Sequence, residues 1–323
     1  MRRPRKQPRT YRFRTDRHLW LRRTFVLCVA ALIVSLWQAS RYALQYVRTV
    51  RISAELEETY LSADDKMSLP TVQQYAVVPT TQSEIPTTEP PPTDTPFGTI
   101  NPLGTLPPQT YPQNPYRLIS ERFLKLRRQN EDIVGWLNID DLISEAVVQR
   151  DNTYYLRRDY RGYHNDNGAI FLDEACSLRM RPYTLILYGH NMKSGAMFGS
   201  LRNYEDIGFY RRNPFVNFDT IYEDGRYVIF SVASVSTDVR SSRYSGFYRL
   251  DTCTNLEREA IIRRLCELSE HTCTVDVNMD DQLLLLVTCV GDDDERRIVA
   301  ARRIRVDETE HELYRSVQLS QKR

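Results

Sequence analysis

Seven short apolar runs, many of them rich in β-branched residues, constrain the fold of this 323-residue chain more than any other feature. Turn-forming residues bound the runs, and this pattern is typical of strands. The runs are, in order, IVGWLNI, AVVQR, GAIFLD, TLILYGH, RYVIFSVASVS, LLLLVTC and RIVAARRI. They predict a mixed or closed β architecture rather than a helical bundle.

Two helices are predicted among these strands. Residues 117–130 place apolar side chains near helical spacing. A second helix follows Thr254, which opens a capping box closed by Glu257, and continues as LEREAIIRRLCELSE. About 200 residues can enclose one core, so we expect a single β-rich domain over residues 116–312. A C-terminal tail over residues 313–323 completes the chain.

The N-terminal region has the composition of a membrane anchor. Residues 2–23 carry ten Lys or Arg and one acid, a charge of +9; because the whole chain has a formal charge of +2, the remainder carries −7. An uncharged run, FVLCVAALIVSLW, follows, and its continuation reaches the roughly 20 residues that a bilayer requires. Basic flanks stay in the cytoplasm. We therefore predict a cytoplasmic tail over 1–23, a membrane-spanning signal anchor over 24–45 and an extracellular remainder; a signal peptide cleaved near Ala39 is the alternative.

Residues 46–115 separate the anchor from the predicted domain. Their first part, to residue 65, has the composition of a short juxtamembrane helix. From residue 66 the segment is dense in Pro and Thr and has no apolar periodicity. Such a sequence cannot bury a core, so a stalk that holds a tethered domain away from a membrane is predicted.

The six cysteines do not form a metal-binding pattern, because no pair has CxxC spacing and no His/Cys cluster has the spacing of metal ligands. Cys28 and Cys266 have the positions of packing residues. A disulfide is allowed outside the membrane, and Cys253 with Cys273 is one candidate pair that spacing alone does not assign.

Cys289 ends a fully apolar run, and a polar loop separates it from a second strand that starts near Arg297. If the two strands form a hairpin, the arginine returns beside the cysteine. A positive charge favours the thiolate, and it also stabilises an oxyanion. His190, at the end of another apolar run, is the available proton carrier. The structural alternative is that the three are a packing cysteine, a strand-end histidine and a solvent-facing arginine.

The sequence resembles a class B sortase. The matching segments, in family order, are NEDIVGWLNI, AVVQRDNTYYL, GAIFLD, YGHNMKSGAMFGSL, TC and RRIV, between about residues 117 and 306. The resemblance implies a mainly β fold: a sortase-type closed β-barrel with an N-terminal helix and a long helix inserted between late strands. It also implies a Gram-positive source.

The resemblance assigns roles to individual residues. Cys289 would be the nucleophile, His190 the general acid and base, and Arg297 the residue that stabilises the oxyanion. The residues expected to line the substrate groove are Asn152, Leu156, Tyr188 and Thr288. The enzyme would be a cysteine transpeptidase that cleaves a sorting motif after Thr and needs no metal or organic cofactor.

The implied partners are surface proteins or pilins with a C-terminal sorting motif, and an amine acceptor such as a peptidoglycan precursor. One alternative is another secreted Cys/His cell-wall enzyme. The Ser-His-Gly-Cys signature of L,D-transpeptidases is absent, and papain-like peptidases place Cys before His, on a helix. The alternative from another class is a non-catalytic surface module on a stalk, in which the Cys, His and Arg need not converge.

Overall fold

The computed structural model describes residues 16–62, 114, 117–140, 142–180, 182–250, 252–290 and 292–323. The first 15 residues of the predicted basic tail lie outside the described residues, and so does nearly all of the predicted Pro/Thr-rich stalk. The chain divides into two compact units, one ending at Arg48 and one covering Thr49–Arg323.

Helix α1 (Asp16–Leu61) is 46 residues long. From Trp20 onward it is long and apolar enough to cross a membrane, and an 18-residue window in it reaches a mean hydropathy of 1.6. It is therefore a candidate membrane anchor by length and composition. Its last turns, from Thr49, belong to the second unit.

Eight strands close into a barrel in the second unit, in the order β1-β2-β3-β4-β7-β8-β6-β5. The pairs β2–β3 and β4–β7 are parallel, and the other pairs are antiparallel. The closed β-barrel is as predicted. The strands are β1 (Ile133–Ile139), β2 (Ile143–Val148), β3 (Ile170–Leu172), β4 (Thr184–Tyr188), β5 (Phe215–Thr220), β6 (Arg226–Ser236), β7 (Leu283–Val290) and β8 (Asp292–Arg303).

All seven predicted strands are present, and β5 was not predicted. This strand alternates buried Val216 and Phe218 with the polar residues Asn217 and Asp219. Only one of its faces contacts the core, so it lacks the continuous apolar run of a strand such as β7.

The described residues after α1 form four further α-helices: α2 (Glu121–Arg127), α3 (Ile207–Arg212), α4 (Asn255–Glu267) and α5 (Glu310–Gln318). As predicted, α4 lies between β6 and β7 and starts with the Thr254–Glu257 capping box. A second capping box, between Thr309 and Glu312, starts α5 and was not predicted. Helix α5 occupies much of the predicted C-terminal tail.

The last turns of α1 pack directly on the barrel. Ile52, Leu56 and Tyr60 are buried there. The Tyr60 ring stacks on Trp136 of β1 with centroids 4.6 Å apart, and its hydroxyl donates to Asp219 of β5 at 2.5 Å. This helix end is thus part of the same hydrophobic core as the strands.

Candidate active site

Strands β4 and β7 bring His190 and Cys289 to the same edge of the barrel. The two strands are parallel, with Tyr188 of β4 opposite Val287 of β7. His190 comes two residues after Tyr188, and Cys289 comes two residues after Val287. The amide of Gly189 donates to the Val287 carbonyl oxygen at 3.2 Å, which extends the pairing past the end of β4. The backbone register therefore places the two residues at equivalent positions.

Strand β8 adds two arginines to this edge through its antiparallel pairing with β7. Arg297 lies opposite Thr288, and Arg296 lies opposite Cys289. On its other side, Arg297 lies opposite Ser234 of β6. The proposed histidine, cysteine and arginine therefore come from three neighbouring strands.

A tight turn follows His190. The His190 carbonyl oxygen accepts hydrogen bonds from the amides of Met192 at 3.1 Å and Phe198 at 3.0 Å. A Cβ atom at Gly199 would overlap the Met192 carbonyl oxygen, so only glycine fits at this position. The Arg202 guanidinium donates to the carbonyl oxygens of Met192 at 2.8 Å and Gly199 at 2.7 Å. These bonds fix the chain immediately after the histidine.

The His190 ring is half-buried, and its Nε2 lies 2.6 Å from the Leu156 carbonyl oxygen. A carbonyl oxygen only accepts, so Nε2 carries the proton in this contact and Nδ1 is the nitrogen left to exchange one. Gly168 has a φ of 64° and approaches Leu156 closely: a Cβ there would lie 2.7 Å from the same carbonyl oxygen. The structure thus brings together two predicted site residues, His190 and Leu156.

Two other predicted groove residues, Asn152 and Tyr188, meet at Asp173, which directly follows β3. The Tyr188 hydroxyl donates to Asp173 Oδ2 at 2.9 Å, and the Asn152 amide lies 3.4 Å from the same oxygen. Burial is the main cause that raises the pKa of Tyr188, and the Asp173 charge adds to it, while Arg296 opposes it. The phenol therefore stays protonated as a neutral donor. Asp173 was not predicted as a site residue, although it ends the GAIFLD run.

Arg297 is buried, with 7% of its side chain exposed, and its Nη2 forms an ion pair with Glu205. Its Nε has no hydrogen-bond partner among the residues that the structure describes, and neither has the Oγ1 of buried Thr288 opposite it. An unsatisfied buried polar group costs roughly 1–3 kcal/mol. Two such groups at facing positions can receive an oxygen atom of a ligand. Glu205 was not predicted, because its pairing with Arg297 spans 92 positions of sequence.

Known proteins share sequence and fold with this chain. The chain is 31% identical over 175 residues to the sortase B of Listeria monocytogenes serovar 1/2a, an alignment that covers 53% of this chain and 68% of the relative. The chain belongs to the sortase B family. The sortase B of Staphylococcus aureus is 26% identical over 193 residues, covering 58% of this chain and 77% of the relative. No family model matches the chain.

Solved sortase B structures share the barrel. The crystal structure of sortase B from B. anthracis in complex with AAEK1 superposes with a TM-score of 0.52 at 28% identity, covering 61% of this chain and 91% of that one. A Staphylococcus aureus sortase B–substrate complex gives a TM-score of 0.53 at 26% identity, covering 59% and 88%. The expected sortase fold and class are therefore confirmed, and this sortase B is a cysteine transpeptidase.

Cys253 and Cys273, the candidate disulfide pair of this sortase B, are both free thiols. The Cys253 thiol donates to the Leu250 carbonyl oxygen at 3.6 Å, whereas the Cys273 thiol lies 3.7 Å from the Cys266 carbonyl oxygen. Cys273 is thus in contact with Cys266. Within the described ranges, no group of three or more His, Cys, Asp or Glu side chains could hold a metal ion.

Proposed function

We propose that this sortase is anchored in the membrane by α1, with its N-terminus in the cytoplasm and the barrel outside. There it cleaves a sorting motif after Thr and transfers the protein to an amine acceptor, a cell-wall precursor or a pilin. The observation that carries the proposal is the parallel register of β4 and β7, which aligns His190 with Cys289. Family membership supplies the reaction class.

In the first half-reaction the Cys289 thiolate attacks the carbonyl carbon of the Thr residue in the motif. The tetrahedral intermediate collapses, the C–N bond breaks, and His190 donates a proton to the leaving amine. The Nε2–H bond to Leu156 leaves Nδ1 of His190 for this transfer. The product is a thioester between Cys289 and the Thr carbonyl.

In the second half-reaction the amine acceptor attacks the thioester, and His190 accepts its proton. The C–S bond breaks, a new amide forms, and Cys289 returns as the thiolate. One amide is exchanged for another, so the overall reaction is a transpeptidation that consumes no cofactor.

Arg297 and Thr288 are proposed to bind the reacting carbonyl oxygen. Their unpaired Nε–H and Oγ1–H donors are buried and occupy facing positions on β8 and β7. A donor already in place when negative charge develops contributes strongly to the rate, typically about 100-fold or more. Arg296 lies opposite Cys289 and is the competing candidate, because the hairpin register favours it.

Asn152, Leu156 and Tyr188 are proposed to line the groove for the sorting motif. Two sets of contacts support this role: Leu156 contacts the ring of His190, and Asn152 and Tyr188 both contact Asp173, which follows β3. The partners would be surface proteins or pilins that carry the motif, together with the amine donor.

The proposal is tested with the full chain in detergent, because the end of α1 is part of the folded unit. Wild type and Cys289→Ala are incubated with NPxT-, LPxT- and PPxT-type peptides, each with and without an amine acceptor, and products are identified by mass spectrometry. We expect cleavage after Thr, a thioacyl adduct on Cys289 and a ligated product with the amine. Cys253→Ala is the matched control and should retain activity.

Absence of both turnover and adduct in folded wild-type protein would contradict the proposal and favour a non-catalytic surface module. Cleavage that persists in Cys289→Ala would contradict the assignment of the nucleophile. Whichever of the three peptide types is cleaved fastest identifies the sorting motif, and the reaction class is the same for all three.

A further inference from the structure

A pair of thiols lies at the end of α4, away from the strand edge that carries the proposed site. Cys266 is in the last turn of the helix, and Cys273 follows it after a short segment. The Cys273 Sγ lies 3.7 Å from the Cys266 carbonyl oxygen, so the side chain of Cys273 is in contact with Cys266. Both side chains are half-buried.

We infer that Cys266 and Cys273 form a redox-active pair that closes to a disulfide when the enzyme meets an oxidant of the disulfide class. The Cys273 sulfur already lies beside the backbone of Cys266 in the folded chain, so the two side chains start from neighbouring positions. An enzyme outside the membrane would meet such oxidants, whereas a cytoplasmic one would stay reduced.

The environment of the pair distinguishes the two sulfur atoms. The hydrogen bond from Cys266 lowers the pKa of Cys273, and the same contact raises the pKa of Cys266. The Arg323 guanidinium donates to the carbonyl oxygens of Cys266 at 2.9 Å and Glu267 at 2.8 Å, which adds positive charge beside the pair. Cys273 is therefore the thiol that reacts first, because the thiolate is the attacking species.

The exchange proceeds in two balanced steps. The Cys273 thiolate attacks one sulfur of a low-molecular-weight disulfide or of a thiol–disulfide oxidoreductase, the S–S bond of the oxidant breaks, and one thiol leaves. Cys266 then loses its proton, attacks the Cys273 sulfur and displaces the second thiol. Two protein thiols are oxidised, and the disulfide of the oxidant is reduced to two thiols.

The bridge would join α4 to the segment that leads into β7. Ser269 in this segment pairs with Ala233 of β6, and His271 is buried. Oxidation would therefore fasten the helix to the barrel wall formed by β6. Because it restricts the unfolded chain, the bridge is expected to raise the thermal midpoint by a few degrees.

The test uses the full chain with Cys289→Ala, which removes the reactive thiol of the proposed site. The protein is reduced, freed of reductant, exposed to oxidised glutathione, alkylated after denaturation and mapped by mass spectrometry. We expect a peptide cross-linked between Cys266 and Cys273, and a mass lower by two hydrogen atoms. The same peptide should form when Cys253→Ser is added.

Single variants give the second readout. With Cys266→Ser the attack stops at its first step, so a mixed glutathione disulfide should accumulate on Cys273. Retention of all alkylatable thiols after exposure would overturn the inference, as would a cross-linked peptide joining Cys253 and Cys273. Both measurements report the state of the thiols and not turnover, so their outcome is independent of the proposed function.

Discussion

Glu205 and Arg297 form an ion pair in which the arginine is buried and the carboxylate is half exposed. Glu205 lies at the end of the 3-10 helix that follows the His190 turn, whereas Arg297 lies on β8. The pair therefore joins the loop side of the proposed site to its sheet side. It leaves the Nε of Arg297 without a hydrogen-bond partner among the described residues.

Replacing Glu205 should lower turnover more than it lowers substrate binding. Glu205→Ala removes a charged hydrogen bond worth roughly 1–2 kcal/mol at a half-exposed position, so we expect kcat to fall about 10-fold. Glu205→Asp, which keeps the charge, should recover part of the loss. Steady-state kinetics with the preferred peptide measure kcat and KM for both variants. An unchanged kcat in Glu205→Ala would mean that the ion pair does not position Arg297.

The two neighbouring arginines can be separated by substitution. If Arg297 binds the carbonyl oxygen, Arg297→Gln should lower kcat about 100-fold or more. Arg296→Gln should have a much smaller effect, because Arg296 bonds the carbonyl oxygen of the adjacent Glu295 in the structure. The reverse ranking would transfer the role to Arg296, the residue that the hairpin register places opposite Cys289. Thermal midpoints of both variants control for folding.

The hydrogen bond between Tyr188 and Asp173 should matter for substrate binding. Tyr188→Phe removes a neutral donor, and we expect KM to rise several-fold while kcat changes little, since a hydrogen bond is worth about 1 kcal/mol. Tyr314→Phe, at an exposed position of α5, is the matched control. A fall in kcat with unchanged KM would contradict a groove role for Tyr188.

Stability should depend on pH through Glu145, whose carboxylate accepts a hydrogen bond from Ser53 of α1. Burial raises the pKa of Glu145 from 4.5 to about 7; Ser53 lowers it and Glu57 raises it. Between these values the folded chain holds a proton that the unfolded chain releases, so the free energy of unfolding falls as pH rises from about 4.5 to about 7. The loss is at most about 3 kcal/mol.

Glu145→Gln should flatten this dependence and raise the thermal midpoint at pH values above about 7, where the wild-type carboxylate is charged. Thermal midpoints test this prediction when they are measured between about pH 4.5 and pH 7 and above. The proteins compared are the wild type, Glu145→Gln and the control Glu174→Gln, whose side chain is exposed. Equal slopes in all three proteins would exclude Glu145 as the source.

The end of α1 should contribute measurably to the stability of the barrel. Chains that start at residue 49 and at residue 112 differ in whether they contain Ile52, Leu56 and Tyr60, each worth roughly 1.5–3 kcal/mol when buried. The free energy of unfolding of the longer chain should therefore be higher by several kcal/mol. This chain should also unfold at a higher denaturant concentration. Equal unfolding midpoints would show that the helix end is dispensable.

Much of the barrel could be predicted from the sequence, because strands buried on both faces are continuous apolar runs. β7 is an example: Leu283–Val287 are all nearly inaccessible. β5 escaped prediction because half its residues are polar, and α5 because its apolar positions are only Leu313 and Val317. The docking of α1 was also missed, since amphipathic spacing shows which face a helix buries but not against which partner.

The candidate site likewise contains residues that could be predicted from the sequence and residues that could not. His190 and Cys289 follow apolar strands, so their placement at strand ends could be predicted from local sequence. Asp173 and Glu205 could not, because their partners come from other elements of the fold and carboxylates are common in loops. Likewise, which arginine of the pair at 296 and 297 faces the cysteine depends on hairpin register, which a shift of one residue reverses.

Tyr60 and Asn114 lie on either side of residues 61–113 in the sequence, and both belong to the same folded unit. Tyr60, just before them, contacts Arg122 at 2.8 Å, and buried Asn114, just after them, donates to the Tyr222 carbonyl oxygen at 2.9 Å. In polymer terms the segment closes a loop, and the entropy of closure grows only with the logarithm of its length: doubling it costs about 0.6 kcal/mol. Insertions, deletions and changes of composition in this segment are therefore nearly neutral for folding, which leaves it open to rapid divergence among related chains.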